Sequence, residues 1–168
     1  MDASEVIADS IGRVRARVRD VAAGLEAGHL AERPSPDANS IGWLLWHLTR
    51  VQDAHVSEFL DAGQLYVSDG WAERFGLAAD PTDSGYGHSS DQVAAVRIED
   101  ADVLVAYHDA VADRSLALLA TLTDVDFDRI VDESWDPPVS AGVRWVSIVE
   151  DSIEHVGQAA YVRGLLGR

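Results

Sequence analysis

The 168-residue chain contains no cysteine. That excludes disulfides, thiolate metal sites and a protein thiol as nucleophile, so any sulfur chemistry must arrive on a small molecule. Lysine is also missing: all 13 basic residues are arginine. Schiff-base catalysis is therefore excluded, and the bias matches codon usage in a GC-rich genome. Positive charge is scarce overall, with 29 acidic residues against those 13 and a formal net charge of -16. Nucleic acid and anionic membrane are not expected partners, because both select basic patches. No apolar run is long enough for a transmembrane helix. The start, Met1-Asp2-Ala3-Ser4-Glu5, lacks the basic region and apolar core of a signal peptide, so a cytoplasmic location is expected.

What remains is an ordinary globular composition, 47% apolar, expected to form a single domain over 1–168. Ile7, Ile11, Val14, Val18, Val21 and Leu25 repeat at the spacing of an amphipathic helix, with Gly28 ending it. After a polar loop at 32–39, Ser40 or Asn39 caps a second helix that runs to about residue 60. Residues 61–100 are irregular, with a short helix expected at 91–96 capped by Asp91. A third helix spans about 100–122 and a fourth about 144–166. In the connection at 123–142, Ile130-Val131 and Val143-Arg144 are candidates for a brief strand pair. Four amphipathic helices joined by long crossovers predict an all-α four-helix bundle.

The chemistry concentrates in two of these helices. Asp151 and His155 are four residues apart, which places them on one helical face about 40° apart. Ile148, Ala159 and Val162 make the rest of that face apolar. A carboxylate and an imidazole on an apolar stripe call for a partner, since unpaired burial is costly, and a divalent metal ion supplies one. His47, beside the stripe Ile41, Leu44, Leu48 and Val51, offers a third ligand. Two histidines and one carboxylate leave an open coordination position, as catalytic zinc sites do. Glu154 points about 100° away from His155, and Glu150 is also poorly placed. An ion pair on the helix surface is the plainer explanation of Asp151 and His155. Arg50 and Arg144 are candidates to reach a ligand carboxylate or hydroxyl. Tyr86 and His88, in Gly85-Tyr86-Gly87-His88, are candidates to close over the pocket, and Gln158 to support the metal. His55 and His108 read as rim or core residues, and His29 as solvated.

Two segments resemble the DinB-like superfamily. Ser40-Ile41-Gly42-Trp43-Leu44-Leu45-Trp46-His47-Leu48-Thr49-Arg50-Val51-Gln52-Asp53 is similar to its second-helix motif, and Glu150-Asp151-Ser152-Ile153-Glu154-His155-Val156-Gly157-Gln158 to its fourth-helix motif. Gly85-Tyr86-Gly87-His88 and Leu104-Val105-Ala106-Tyr107-His108-Asp109-Ala110 look like an actinobacterial branch, and the resemblance runs from about 10 to 165. It implies a four-helix bundle holding a metal, most simply Zn2+, on His47, Asp151 and His155. Many members carry histidine where Asp151 stands. A carboxylate there resembles the mycothiol-dependent maleylpyruvate isomerases, and the mycothiol S-transferase branch is the best match. The implied activity is transfer of mycothiol, as a thiolate, to an electrophile. The alternatives are mycothiol-dependent cis-trans isomerisation of a small dicarboxylate, a non-catalytic metal-binding stress protein, and metal-assisted hydrolysis. A homodimer is left open.

Overall fold

The computed structural model describes residues 2–168. Four long helices make the bundle: α1 (Ala3–Ala22), α3 (Ile41–Leu60), α7 (Ala101–Leu119) and α9 (Ala141–Leu165). Between them lie the short helices α2 (Ala27–Ala31), α4 (Leu65–Ser68), α5 (Trp71–Phe75), α6 (Ser90–Ala95) and α8 (Asp124–Phe127), and a two-stranded hairpin of β1 (Ile130–Asp132) and β2 (Val139–Ser140). No helix among the described residues is long and apolar enough to cross a membrane.

Side-chain capping sets the ends of the long helices. Asp2 forms a capping box with Glu5 at the start of α1, while Ser40 and Ser140 accept from the backbone of Trp43 and Val143 at the starts of α3 and α9. α1 stops at Ala22, earlier than expected: Ala23 leaves the helical region and Gly24 has φ +71. α6 begins one residue before the expected helix because Ser89, not Asp91, is its cap. The expected strand pairing also needs correction. Ile130 pairs with Ser140 and Asp132 with Val139. Val143 and Arg144 lie inside α9, because the Ser140 cap starts that helix three residues sooner.

Each long helix packs on two others, giving the ring α1, α7, α3, α9. Named contacts fix the directions. Thr49 meets His108 and Ser57 meets Arg114, so α3 and α7 are parallel. His47 meets Asp151 while His55 meets Arg144, so α3 and α9 are antiparallel. Parallel neighbours of ~30 Å cannot be joined by a tight turn. The segment 61–100 is that crossover, and it folds α4, α5 and α6 against the bundle.

α3 is the central helix. Its first ten residues, Ile41 to Arg50, are all buried, covered by α2, α7, α9 and the crossover. Two charged residues are fully buried on it, Arg50 and Asp53, 3.9 Å apart. Asp53 accepts from the backbone N–H groups of Leu65 and Tyr66 at the start of α4 and from the Tyr107 hydroxyl. Arg50 donates to the carbonyls of Asp80, Pro81 and Asp83 and to Gln64 Oε1, and lies 3.9 Å above the Tyr66 ring. A buried carboxylate and guanidinium satisfied this fully anchor the crossover to α3.

Removing one member should leave the other charged and unpaired. Asp53→Ala is expected to destabilise the fold by about 3–5 kcal/mol. A urea midpoint unchanged from wild type would contradict that role.

His108 is also fully enclosed. Thr49 Oγ1 donates to the Leu45 carbonyl and lies 3.0 Å from His108 Nδ1, so the ring N–H is assigned to Nδ1; Nε2 has no partner. Burial pushes this imidazole down to about 4. The unfolded chain takes up a proton near pH 6.5 and the folded protein does not until about pH 4. The stabilisation from the neutral ring is therefore complete above pH 6.5 and lost as pH falls to 4, by about 3 kcal/mol. Urea unfolding of wild type and His108→Leu across that window should show the variant losing less stability on acidification. Parallel pH profiles would refute the assignment.

Candidate metal centre

His47, Asp151 and His155 converge where α3 meets α9. His47 Nε2 is 3.8 Å and His155 Nε2 3.5 Å from Asp151 Oδ1, and one donor atom from each residue lies within 4.8 Å of the others. Tetrahedral ligands about 2.1 Å from zinc stand roughly 3.4 Å apart, so small side-chain rotations bring the set to bonding distance. His47 is buried, and Asp151 and His155 are half-buried.

The surroundings hold both rings in the orientation a ligand needs. His47 Nδ1 is 2.5 Å from the Ser84 carbonyl and His155 Nδ1 is 2.9 Å from Gln158 Oε1. Each Nδ1–H therefore donates outward, leaving both Nε2 lone pairs facing Asp151. This is the outer hydrogen-bond pattern of metal-binding histidines. Trp43 stacks on His47 at 4.6 Å and meets His155 edge-on at 6.3 Å. Burial pushes the His47 imidazole below its ordinary range, against the opposing Ser84 and Asp151 interactions, which favours the neutral ligand form. His155 is pushed up, first by Asp151, with burial opposing. Asp151 Oδ2 is the one buried carboxylate oxygen among the described residues that has no hydrogen-bond partner. An orphaned carboxylate oxygen beside two aligned imidazoles fits a divalent cation.

Glu154 lies off the cluster as its helical position predicts: it is exposed and accepts from Gln158 Nε2. Gln158 thus positions His155 from outside the donor set. Other expected contacts are corrected by the structure. Arg50 does not face a ligand, because every donor group of its guanidinium is spent on the crossover and Gln64. Arg144 lies two turns along α9 from Asp151; it pairs with Asp132 at 2.8 Å and abuts His55, which in turn bonds Glu58. Tyr86 is 91% exposed and projects into solvent. His88 is a loop fastener: its Nδ1 accepts from Trp43 Nε1, its Nε2 bonds Asp83, and its ring stacks on Trp46.

The crossover nevertheless reaches the centre through Gly85. With φ +90 it lies so close to α3 that a Cβ there would be 2.9 Å from His47 Nδ1 and 3.0 Å from Trp46. Neither Ser84 nor Trp43 was singled out from the sequence. The glycine before Tyr86 was the available signal for the first, and the one-turn spacing to His47 for the second.

Residues 10–159 match the DinB superfamily, and the chain belongs to it. This superfamily includes metal-binding enzymes. A crystallographically solved conserved protein from Enterococcus faecalis shares 26% identity with a TM-score of 0.91, covering 100% of this chain and 99% of that one. No curated protein matches.

Gly85→Ala should displace the His47 ring and the Ser84 carbonyl, lowering metal affinity about 10- to 100-fold. Gly87→Ala carries comparable backbone strain at φ +73 but meets nothing within 4 Å, and should keep its metal. Competition against a fluorescent chelator measures both; equal affinities in the two variants would refute the contact.

Proposed function

We propose that the protein is a metal-dependent thiol S-transferase that joins mycothiol to electrophiles, in a detoxification role. The observation that carries the reading is the three-residue donor set with an orphaned Asp151 oxygen and both histidines held from outside. Three protein ligands leave room for one exogenous donor, and a chain without cysteine has to take its sulfur from a co-substrate. The resemblance to the mycothiol S-transferase branch supplies the identity of that thiol, and zinc is the metal that suits two imidazoles and a carboxylate.

A divalent ion in this set supplies a Lewis-acid position that lowers the pKa of a thiol. The protein's own contribution is positional. Ser84 and Gln158 fix the two imidazoles, Asp151 contributes one negative charge, and Trp43 and the buried start of α3 wall off one side from water. The thiol proton leaves to solvent, the sulfur forms a bond to the electrophilic carbon, and the leaving group departs with its electron pair.

Isomerisation of a dicarboxylate gains no support. It needs free cations near the reacting centre, and Arg50 and Arg144 are committed to Gln64 with loop carbonyls and to Asp132.

The test is conjugation of mycothiol to a fluorogenic haloalkyl bimane by the zinc-loaded protein. Asp151→Asn, which keeps shape and removes charge, should lower the rate at least tenfold and release metal. Glu154→Gln should stay within about twofold. A metal-loaded wild type no faster than the metal-free protein would end the transferase reading and leave a non-catalytic metal protein. Essential Glu154 with dispensable Asp151 would mean that the wrong carboxylate has been assigned.

A further inference from the structure

The face of α9 that carries Asp151 and His155 continues through Gln158, Val162 and Leu165, since these positions recur within about 80° around the helix. Beside this continuation is an open recess of about 270 Å3, lined by Pro34, Ala38 and Asn39 of the loop before α3, by Leu44, and by Tyr161, Val162 and Leu165. It begins one turn from the metal centre on both helices. Leu44 precedes His47 by three residues, and Gln158, whose Oε1 holds His155, lines the recess as well. Its walls are mostly apolar. Tyr161 and Leu165 are 69% and 57% exposed, so they present apolar surface to whatever enters. The arginines of the adjoining segments are engaged elsewhere: Arg33 with the Ala38 carbonyl and Ser90, Arg163 with the carbonyls of Asp20 and Val21, and Arg168 with Glu32. The net charge of -16 also repels anions. At the opposite end of the same α3–α9 seam, Arg144 pairs with Asp132.

Resting on the transferase reading, we infer that this recess binds the non-reacting part of the electrophile, and that the preferred electrophiles carry an uncharged aromatic or short aliphatic group next to the reactive carbon. An apolar cavity of about 150 Å3 already accepts benzene, so a single substituted ring fits this volume. The ring would lie against Leu44 and Leu165, and its reactive carbon one helical turn away, beside Asp151 and His155. Because none of the described residues that line the recess is a cation, a carboxylate on the same ring would lose its hydration without a partner.

The probe is tetramethylbimane, uncharged and lacking a leaving group, titrated by fluorescence anisotropy. Wild type and His155→Ala should bind it with similar affinity, since the recess does not need the metal. Ala38→Trp, which fills the recess, should weaken binding at least tenfold, and a carboxyl-bearing bimane should bind wild type at least tenfold more weakly than the neutral one. Leu165→Arg, at an exposed position that folding does not depend on, should reverse that preference. In the conjugation assay Ala38→Trp should raise KM for a haloalkyl bimane at least tenfold. Absence of tetramethylbimane binding to wild type, or equal binding by wild type, Ala38→Trp and Leu165→Arg, would overturn the inference. Binding with the predicted pattern but no conjugation would support the recess and reject the transferase reading alone.

Discussion

Two fully buried charges on one helix govern the architecture. α3 and α7 run parallel, so 40 residues must travel back along the bundle between them, and a segment of that length without its own core does not hold a position by itself. Arg50 and Asp53 give it one. The carboxylate caps α4 and the guanidinium collects three carbonyls from residues 80–83. The pair costs desolvation, which only its complete set of partners offsets. Its consequence lies one turn away. With residues 80–83 fixed, Ser84 and Gly85 are brought against His47. A loop that sequence reading treats as a lid is, at its base, part of the scaffold of the metal centre.

The centre itself is built from both sides of one helix–helix seam. His47 comes from α3, Asp151 and His155 from α9, and the outer hydrogen bonds come from two further places, the crossover and the next turn of α9. No single element contains the site, so its geometry depends on the α3–α9 packing as a whole. Asp151 is the only formal charge in the donor set, and its second oxygen has no hydrogen-bond partner among the described residues. Oxygen is a harder donor than an imidazole nitrogen, so Asp151 would widen the range of divalent metals that the set could hold.

Much of this was legible in the residues. The three-four repeats placed all four long helices, and the choice of Ser40 or Asn39 as cap put the start of α3 within one residue of where Ser40 caps it. The i,i+4 spacing of Asp151 and His155, with Glu154 pointing elsewhere, picked out the face of α9 that meets His47. What escaped was long-range or short. α2, α4, α5 and α8 are four or five residues long, too few for periodicity to register. Apart from Gln64, the partners of Arg50 are backbone carbonyls thirty or more residues away, invisible to any side-chain pattern, so an arginine one turn from a candidate ligand was read as substrate-binding when it is an internal clamp. Arg144 was misplaced for the opposite reason: Asp132, its partner, lies in a strand whose pairing was sought at Val143-Arg144 and is made by Val139-Ser140. Tyr86 was read as a lid residue held between two glycines, but the contact is made by Gly85 itself, whose lack of a Cβ lets it approach His47.

We propose that His47, Asp151 and His155 hold a metal with a position left for a thiol. X-ray absorption at the zinc edge of the zinc-loaded protein, recorded before and after addition of mycothiol, tests it directly. The chain has no cysteine, so sulfur near the metal at about 2.3 Å has to come from the added thiol. The account predicts only nitrogen and oxygen neighbours at about 2.0–2.2 Å at first, and one sulfur once mycothiol is present. A nitrogen–oxygen shell that mycothiol leaves unchanged would contradict it.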